Sequence, residues 1–244
     1  MEIRKDVPKV LIIVPAYNEE RSLPRVLAAI GETAADYDVL VVNDGSSDGT
    51  SRVAHAGCAE VIDLPINLGI GGAVQAGFKY ALSHGYEAAV QVDADGQHLA
   101  EEIPKLVEPV LHGRYDVVIG SRFLEPTAYR GSPRRRLVIA FLSWLCSRLA
   151  GVKVTDATSG FRAFGPAALA YVAANYSVDY PEPKIIPALS RRGLRIAEVS
   201  VEMKQRESGV SSLTGLKALH YVINVTLALL VDAVRKRPEA ESGG

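Results

Sequence analysis

Asp93 and Asp95 stand one residue apart at the end of an apolar run, Ala88-Ala89-Val90-Gln91-Val92-Asp93-Ala94-Asp95-Gly96-Gln97-His98. Val90 and Val92 read as the end of a buried strand. On an extended backbone, residues two apart project to the same side. Two same-side carboxylates repel, and each is costly to take out of water without a partner. A divalent cation meets both difficulties. Hard oxygen donors with coordination positions left over suit Mg²⁺ or Mn²⁺ holding a substrate diphosphate. The same residue types also close strands as solvated turns, so the pair alone leaves both readings open.

The elements that must carry this pair alternate along the chain. Val10 to Val14 is a continuous apolar run ended by Pro15, the signature of a strand buried on both faces. A helical spacing follows over Ser22 to Ile30, then a second buried strand from Asp38 to Asp44. Asp44-Gly45-Ser46-Ser47-Asp48-Gly49-Thr50 reads as a turn and helix cap, with a helix from Ser51 to Ala56 and a short strand from Ala59 to Leu64. Asn67 to Gly72 is a glycine loop opening a helix over Ala73 to His84; it lacks Rossmann spacing and reads as a tight entry into that helix. After the acidic pair come a helix over Glu101 to His112 and a strand over Tyr115 to Gly120, ending at Ser121-Arg122. Strands alternating with helices predict an α/β fold, a mostly parallel sheet with helices on both faces. Sites of such sheets lie outside the carboxyl ends of the strands. Tyr17, Asn18 and Glu19, then Asp44, then Asp93 and Asp95, then Arg122 all fall at successive strand ends, which together read as a nucleotide site.

Composition narrows the class. The 244 residues are 48% apolar, enough for a sizeable core, and 27 Lys plus Arg balance 28 Asp plus Glu, so no bulk charge argues for nucleic acid. Cys58 and Cys146 form neither a disulfide framework nor a metal spacing and fit a reducing compartment. Met1 to Val10 lacks the apolar stretch of a signal peptide, and no apolar run reaches the roughly 18 residues that span a bilayer.

Pro15-Ala16-Tyr17-Asn18-Glu19, Val42-Asn43-Asp44-Gly45-Ser46-Ser47-Asp48-Gly49-Thr50, Asp93-Ala94-Asp95-Gly96-Gln97, Gly120-Ser121-Arg122 and Asp156-Ala157-Thr158-Ser159-Gly160-Phe161-Arg162 occur in this order over about two thirds of the chain. In them the chain resembles a family 2 glycosyltransferase of the nucleotide-diphospho-sugar (GT-A) type, and among these the dolichyl- or polyprenyl-phosphate sugar transferases. The resemblance implies a GT-A fold and inverting transfer of a sugar from a nucleotide-diphosphate-sugar donor to a polyprenyl phosphate. It implies that Pro15, Tyr17, Glu19 and Asp44 cradle base and ribose, and that Asp93, Asp95 and Gln97 hold Mg²⁺ or Mn²⁺ and the donor phosphates. It gives Arg122 and Arg206 to phosphates as fixed positive charge beside the catalytic Asp95, Arg206 lying in a loop similar to the Arg-x-x-Gly-x-Ser loop that closes over the donor. Two positions depart from the pattern: Ile70 stands where relatives often carry Lys, and Asp179-Tyr180-Pro181-Glu182-Pro183-Lys184 replaces an aromatic-Gln-x-Glu segment. A phosphate monoester acceptor is largely ionised at neutral pH, with a second pKa of about 6, and needs no general base. A hydroxyl acceptor in glycan synthesis is the alternative, with Asp179 or Glu182 as base. A nucleotide-sugar-binding scaffold without catalysis is a further one.

The organisation expected is a catalytic region over 1–212, a C-terminal amphipathic helix over 213–237 and a disordered tail over 238–244. Ser132 and Pro133 read as the cap and first position of a helix. Arg134-Arg135-Arg136 precedes Leu137 to Leu149, which is apolar on nearly every face around Trp144. Such a pairing is either a solvated charge run before a core helix or a surface for anionic lipid headgroups; with the resemblance, the lipid reading is preferred. Leu213, Leu216, Leu219, Ile223, Leu227, Leu230 and Val234 fall on one stripe of the last helix, which would pack on the catalytic region, lie on the bilayer surface, dock on a membrane-protein partner or mediate oligomers. The resulting expectation is a cytoplasmic protein, peripheral at the cytoplasmic face of the membrane.

Overall fold

Every residue of the first strand, Val10–Ala16 (β1), is buried. That explains a run without polar alternation: both faces are covered by helices. The computed structural model describes residues 8–57, 59–125, 132–204 and 215–234, with side chains of the last helix from 220 onward. After β1 come Leu23–Thr33 (α1), Asp38–Asn43 (β2), Thr50–Ala56 (α2), Glu60–Asp63 (β3), Gly69–Ser83 (α3), Ala88–Gln91 (β4), Ile103–Leu111 (α4), Val117–Ser121 (β5) and Pro133–Ala150 (α5). Arg162–Phe164 (β6), Pro166–Asn175 (α6), Pro181–Ser190 (α7), Ile196–Ser200 (β7) and Gly215–Val234 (α8) complete the order.

The sheet runs β3-β2-β1-β4-β6-β5-β7. All neighbouring pairs are parallel except those of β6, which is antiparallel to both β4 and β5. One face packs on α1, α2 and α4 through Leu23, Ile30, Ala54 and Leu106. The other packs on α3, α5, α6, α7 and α8 through Phe78, Leu142, Val172, Ile186 and Leu229. Phe78 makes edge-to-face contacts with Phe164 at 4.8 Å and Tyr176 at 5.1 Å between ring centroids. The expected α/β class and mostly parallel sheet are what the chain forms.

The structure adds one strand and changes two local readings. β6, three residues long, has no pattern of its own in the sequence. Helix α3 begins at Gly69, so the glycines belong to its first turn; a Cβ on Gly71 would lie 2.3 Å from the Ser177 carbonyl oxygen. Gly71 therefore permits a close approach of α3 to the 177–178 segment rather than only a tight turn. β4 stops at Gln91, so Asp93 and Asp95 sit beyond the extended strand, on a turn closed by Gly96 at φ +77°. The last strand ends at Ser200, and the chain leaves it to bridge Met203 to His98. Arg206 and its loop, and the expected tail over 238–244, lie outside the described residues.

Candidate active site

The carboxyl ends of the parallel strands gather the residues singled out above. Pro15 costs the sheet no ladder bond. Val92 N–H donates to the Ile13 carbonyl at 2.9 Å, and Pro15, two residues on, faces the same side where β4 has ended. Beyond it, Tyr17 is half exposed and Asn18 takes φ +56°, a conformation that Asn tolerates better than most residues. The loops after β1 and β2 are tied together. Asn18 N–H donates to Ser46 Oγ at 3.0 Å, Ser47 N–H to Asn18 Oδ1 at 2.9 Å and Glu19 N–H to Thr50 Oγ1 at 2.8 Å. The Glu19 carboxylate accepts the Ser22 hydroxyl. Asp44 is buried; its N–H donates to the Ala16 carbonyl at 2.8 Å, and its Oδ1 accepts Leu68 N–H at 2.7 Å. Gly45 has no alternative, because φ is +65° and a Cβ would lie 2.8 Å from Asn67 N.

At the end of β4, Asp93 Oδ1 accepts Gln91 Nε2–H at 3.0 Å. Asp95 Oδ1 accepts Gln97 N–H at 3.0 Å and Oδ2 accepts the Gln97 amide at 2.7 Å. The amide thus orients Asp95 with its NH₂ and keeps its carbonyl for another partner. Gly160 leaves the space that Asp93 needs: a Cβ there would meet Gln91 Nε2 at 2.8 Å and Asp93 Oδ1 at 3.4 Å. Lys204 N–H donates to the Gln97 carbonyl at 2.9 Å, tying the chain beyond β7 to the turn that carries the acidic pair. Two carboxylates and an amide oxygen are hard donors and leave positions for diphosphate oxygens and water, which suits Mg²⁺ or Mn²⁺. Among the described residues no group of three or more His, Cys, Asp or Glu is placed to hold a metal ion.

The two described arginines of the matching motifs, Arg122 and Arg162, both find partners within the protein. Arg122, 5% exposed, makes a bidentate pair with Asp156, Nε to Oδ2 at 2.6 Å and Nη2 to Oδ1 at 2.8 Å, and reaches Thr158 Oγ1 at 3.1 Å. Its guanidinium plane is occupied by a carboxylate that geometrically resembles a phosphate edge. Glu198 on β7 accepts Asp156 N–H at 2.9 Å and Thr155 N–H at 2.7 Å. Burial raises its carboxyl above the usual range, and the Asp156 charge adds to the rise against those hydrogen bonds. Arg162 is fully buried on β6 and donates to the carbonyls of Ser159 at 2.7 Å, Glu182 at 2.8 Å and Ala157 at 2.9 Å. A side chain so enclosed cannot meet a phosphate; it ties the Asp156 motif to α7.

That tie holds Glu182, in the first turn of α7, near the acidic pair. Burial raises the Glu182 carboxyl, Arg162 opposes the rise and the charge of Asp93 reinforces it. Sequence pattern named Glu182 only as a base for a hydroxyl acceptor, and gave no role to His98 or Gly160. Their signal was adjacency to the motifs, which becomes contact only when β6 folds in beside β4.

A sequence model described as "Glycosyl transferase family 2" matches residues 11–171. The undecaprenyl-phosphate mannosyltransferase of Micrococcus luteus is 36% identical, over 94% of this chain and 98% of that one. The polyprenol monophosphomannose synthase of Mycolicibacterium smegmatis is 32% identical, over 85% of this chain and 82% of that one. In fold, the chain is similar to glucosyl-3-phosphoglycerate synthase from Mycobacterium tuberculosis, crystallised with Mn²⁺, uridine diphosphate and phosphoglyceric acid. The TM-score is 0.70 at 23% identity, covering 95% of this chain and 80% of that one.

Proposed function

The chain belongs to glycosyl transferase family 2, and on that premise we propose that it transfers a sugar, mannose first among the candidates, from a nucleotide-diphosphate donor to a polyprenyl phosphate. The observation that supports this most is a likeness running almost end to end, over 94% of this chain and 98% of a relative named for that acceptor. An oxygen of the acceptor phosphate attacks the anomeric carbon as the bond to the diphosphate breaks, and the nucleoside diphosphate departs with the electron pair. The acceptor is already anionic at neutral pH, so the step needs no general base.

Each residue then has a task. The Asp44 carboxylate, fixed by Leu68 N–H, accepts hydrogen bonds from the nucleoside. Tyr17 offers an exposed ring, and Pro15 and Glu19 shape the wall beside it. Asp93, Asp95 and the Gln97 carbonyl would hold the cation. When bound, Mg²⁺ or Mn²⁺ neutralises the leaving diphosphate. Arg206 is assigned to the same phosphates. Arg122 is assigned to hold the Asp156 motif in place.

The acceptor must be met at a bilayer. Among the described residues no helix is long and apolar enough to cross one. On α5, Leu137 (73% exposed), Phe141 and Trp144 (59%) lie on one face, behind the exposed Arg134 and Arg136. Neighbouring α8 exposes Ile223, Leu227, Leu230 and Val231. Between α5 and the β5 exit lies a largely apolar groove of about 470 Å³, lined by Phe123, Arg136, Leu137, Ala140 and Thr155, one residue from Asp156. We assign this side to the membrane and the groove to the prenyl chain, with the protein peripheral at the cytoplasmic face.

A hydroxyl acceptor remains the second reading, favoured by the desolvated carboxyl of Glu182 near Asp93. Purified protein offered GDP-mannose, UDP-glucose and UDP-N-acetylglucosamine with Mn²⁺, against a short polyprenyl phosphate and against a glycan alcohol, separates the two. Transfer to the lipid phosphate that Asp95→Asn lowers at least about 100-fold is the expected result. Transfer to the alcohol alone would replace the first reading by the second.

A further inference from the structure

Asp93 lies where both neighbouring strands have ceased to supply hydrogen-bond partners. The β4–β6 ladder ends at Gln91↔Arg162, and Val92 makes the last bond to β1. The backbone N–H of Asp93 would there be a donor without a strand acceptor. It donates instead to Nδ1 of His98 at 3.0 Å. A backbone N–H can only donate, so Nδ1 carries the lone pair and Nε2 the proton. Nε2 lies 3.7 Å from Asp93 Oδ2, beyond hydrogen-bond length. The imidazole is itself held. It is 8% exposed and stacks on Phe161 at 4.6 Å with 10° between the planes, and its backbone bridges to Met203. Gln91 takes the other oxygen of Asp93, and Gly160 leaves that oxygen room.

We propose that His98 is a positioning residue, which fixes the backbone and the free carboxylate oxygen of Asp93 in the orientation that receives the cation-bound diphosphate. The inference rests on the metal reading of Asp93 above. Groups that orient a metal-binding carboxylate typically contribute 10- to 100-fold in metal affinity. A histidine that served only to fill the core would contribute to stability and leave that affinity alone.

The test is calorimetric titration of GDP and of UDP into the purified chain, with and without Mn²⁺, beside thermal unfolding. His98→Asn keeps an acceptor oxygen near the place of Nδ1. His98→Gln places its amide nearer Nε2 and loses that acceptor. His98→Phe keeps only the stack on Phe161. Expected is a Mn²⁺-dependent nucleotide affinity about 10- to 100-fold weaker in His98→Phe and His98→Gln and largely restored in His98→Asn, with affinity without metal unchanged in all three. Should His98→Phe fail to fold, the Asn and Gln variants still decide. Equal Mn²⁺-dependent affinity in the Asn and Gln variants, or wild-type affinity in both, overturns the positioning role. Asp93→Asn serves as control: if it too binds like the parent, the metal reading falls and takes this inference with it. If Asp93→Asn loses the Mn²⁺ dependence while His98→Gln keeps it, only the role of His98 is lost.

Discussion

Arg122 and Asp156 are the most enclosed ion pair among the described residues, and their energetics differ from those of a surface bridge. An exposed pair contributes about 0–1 kcal/mol, whereas removing one partner of a buried pair leaves an uncompensated charge and costs about 3–5 kcal/mol. Arg122→Ala should therefore lower unfolding stability by about that amount, measured by denaturant titration, because Asp156 is fully buried. A loss under about 1 kcal/mol would mean that the carboxylate finds water in solution. The nucleoside side of the site allows a different separation. Asp44→Ala should weaken the full donor and the free nucleoside diphosphate by a similar factor, about 10-fold for one charge-assisted hydrogen bond, leaving the Mn²⁺ dependence of binding intact. Calorimetry with and without metal reads both numbers. An effect on turnover alone would contradict the role given to Asp44.

At the scale of elements, α5 and α8 each divide their residues between core and surface. Ser132 caps α5, its Oγ accepting Arg135 N–H at 3.3 Å, with Pro133 in the first turn and Gly151 ending the helix at φ +70°. Leu142, Leu145 and Cys146 face inward, and burial pushes the Cys146 thiol up to about 12, so it is an inert core group. Helix α8 buries Val225 and Leu229 and docks on α7, with Asn224 donating to Tyr180 at 3.3 Å and Asp232 3.6 Å from Lys184. Asn224 and Asp232, polar residues of this largely apolar helix, are thus docking contacts. Arg134→Ser with Arg136→Ser should weaken co-sedimentation with anionic liposomes roughly 30-fold at low salt, since each arginine near such a surface contributes about 1 kcal/mol. Leu227→Ser with Leu230→Ser should weaken it further without loss of stability, whereas Leu229→Ala should cost about 2–5 kcal/mol of stability. Wild-type protein that never sediments would assign recruitment to a membrane partner instead.

For the whole molecule, the buried carboxyls link stability to pH. Glu182 has a raised pKa in the fold, from burial first, with Asp93 adding and Arg162 opposing. The folded chain therefore holds this proton more tightly than the unfolded one. That contribution is fully present below the ordinary carboxylate value of 4.5 and is lost as pH rises through the raised one. Glu182→Gln, which cannot ionise, should lose less stability than the parent between about pH 4.5 and neutrality. Parallel unfolding curves across that range would show that Glu182 keeps its ordinary value. The same carboxyl reports on the architecture, because Arg162 on β6 holds the first turn of α7 through the Glu182 carbonyl.

Local chemistry by itself determined that β1, β2, β4 and β5 form as buried strands of the sheet, but not that β4 stops at Gln91. Uninterrupted apolar runs have one stable solution when both faces are covered, and polar residues at their ends have one place to go. The cap of α5 was likewise legible in Ser132-Pro133, since it depends on neighbours in sequence. What the tertiary structure decided depends on long-range partners. Arg162-Ala163-Phe164 becomes a central antiparallel strand only because β4 and β5 offer it both edges. Arg122 turns to Asp156, 34 residues away, because a buried guanidinium needs a carboxylate and the fold encloses that of Asp156 beside it. Gly71 and Gly160 are glycines for the sake of backbone or side chains that arrive from Ser177 and from Asp93. The acidic pair was visible from spacing. The brackets around Asp93, formed by Gln91, His98 and Gly160, were not, because a hydrogen bond from a turn to a ring stacked on Phe161 leaves no period in the chain.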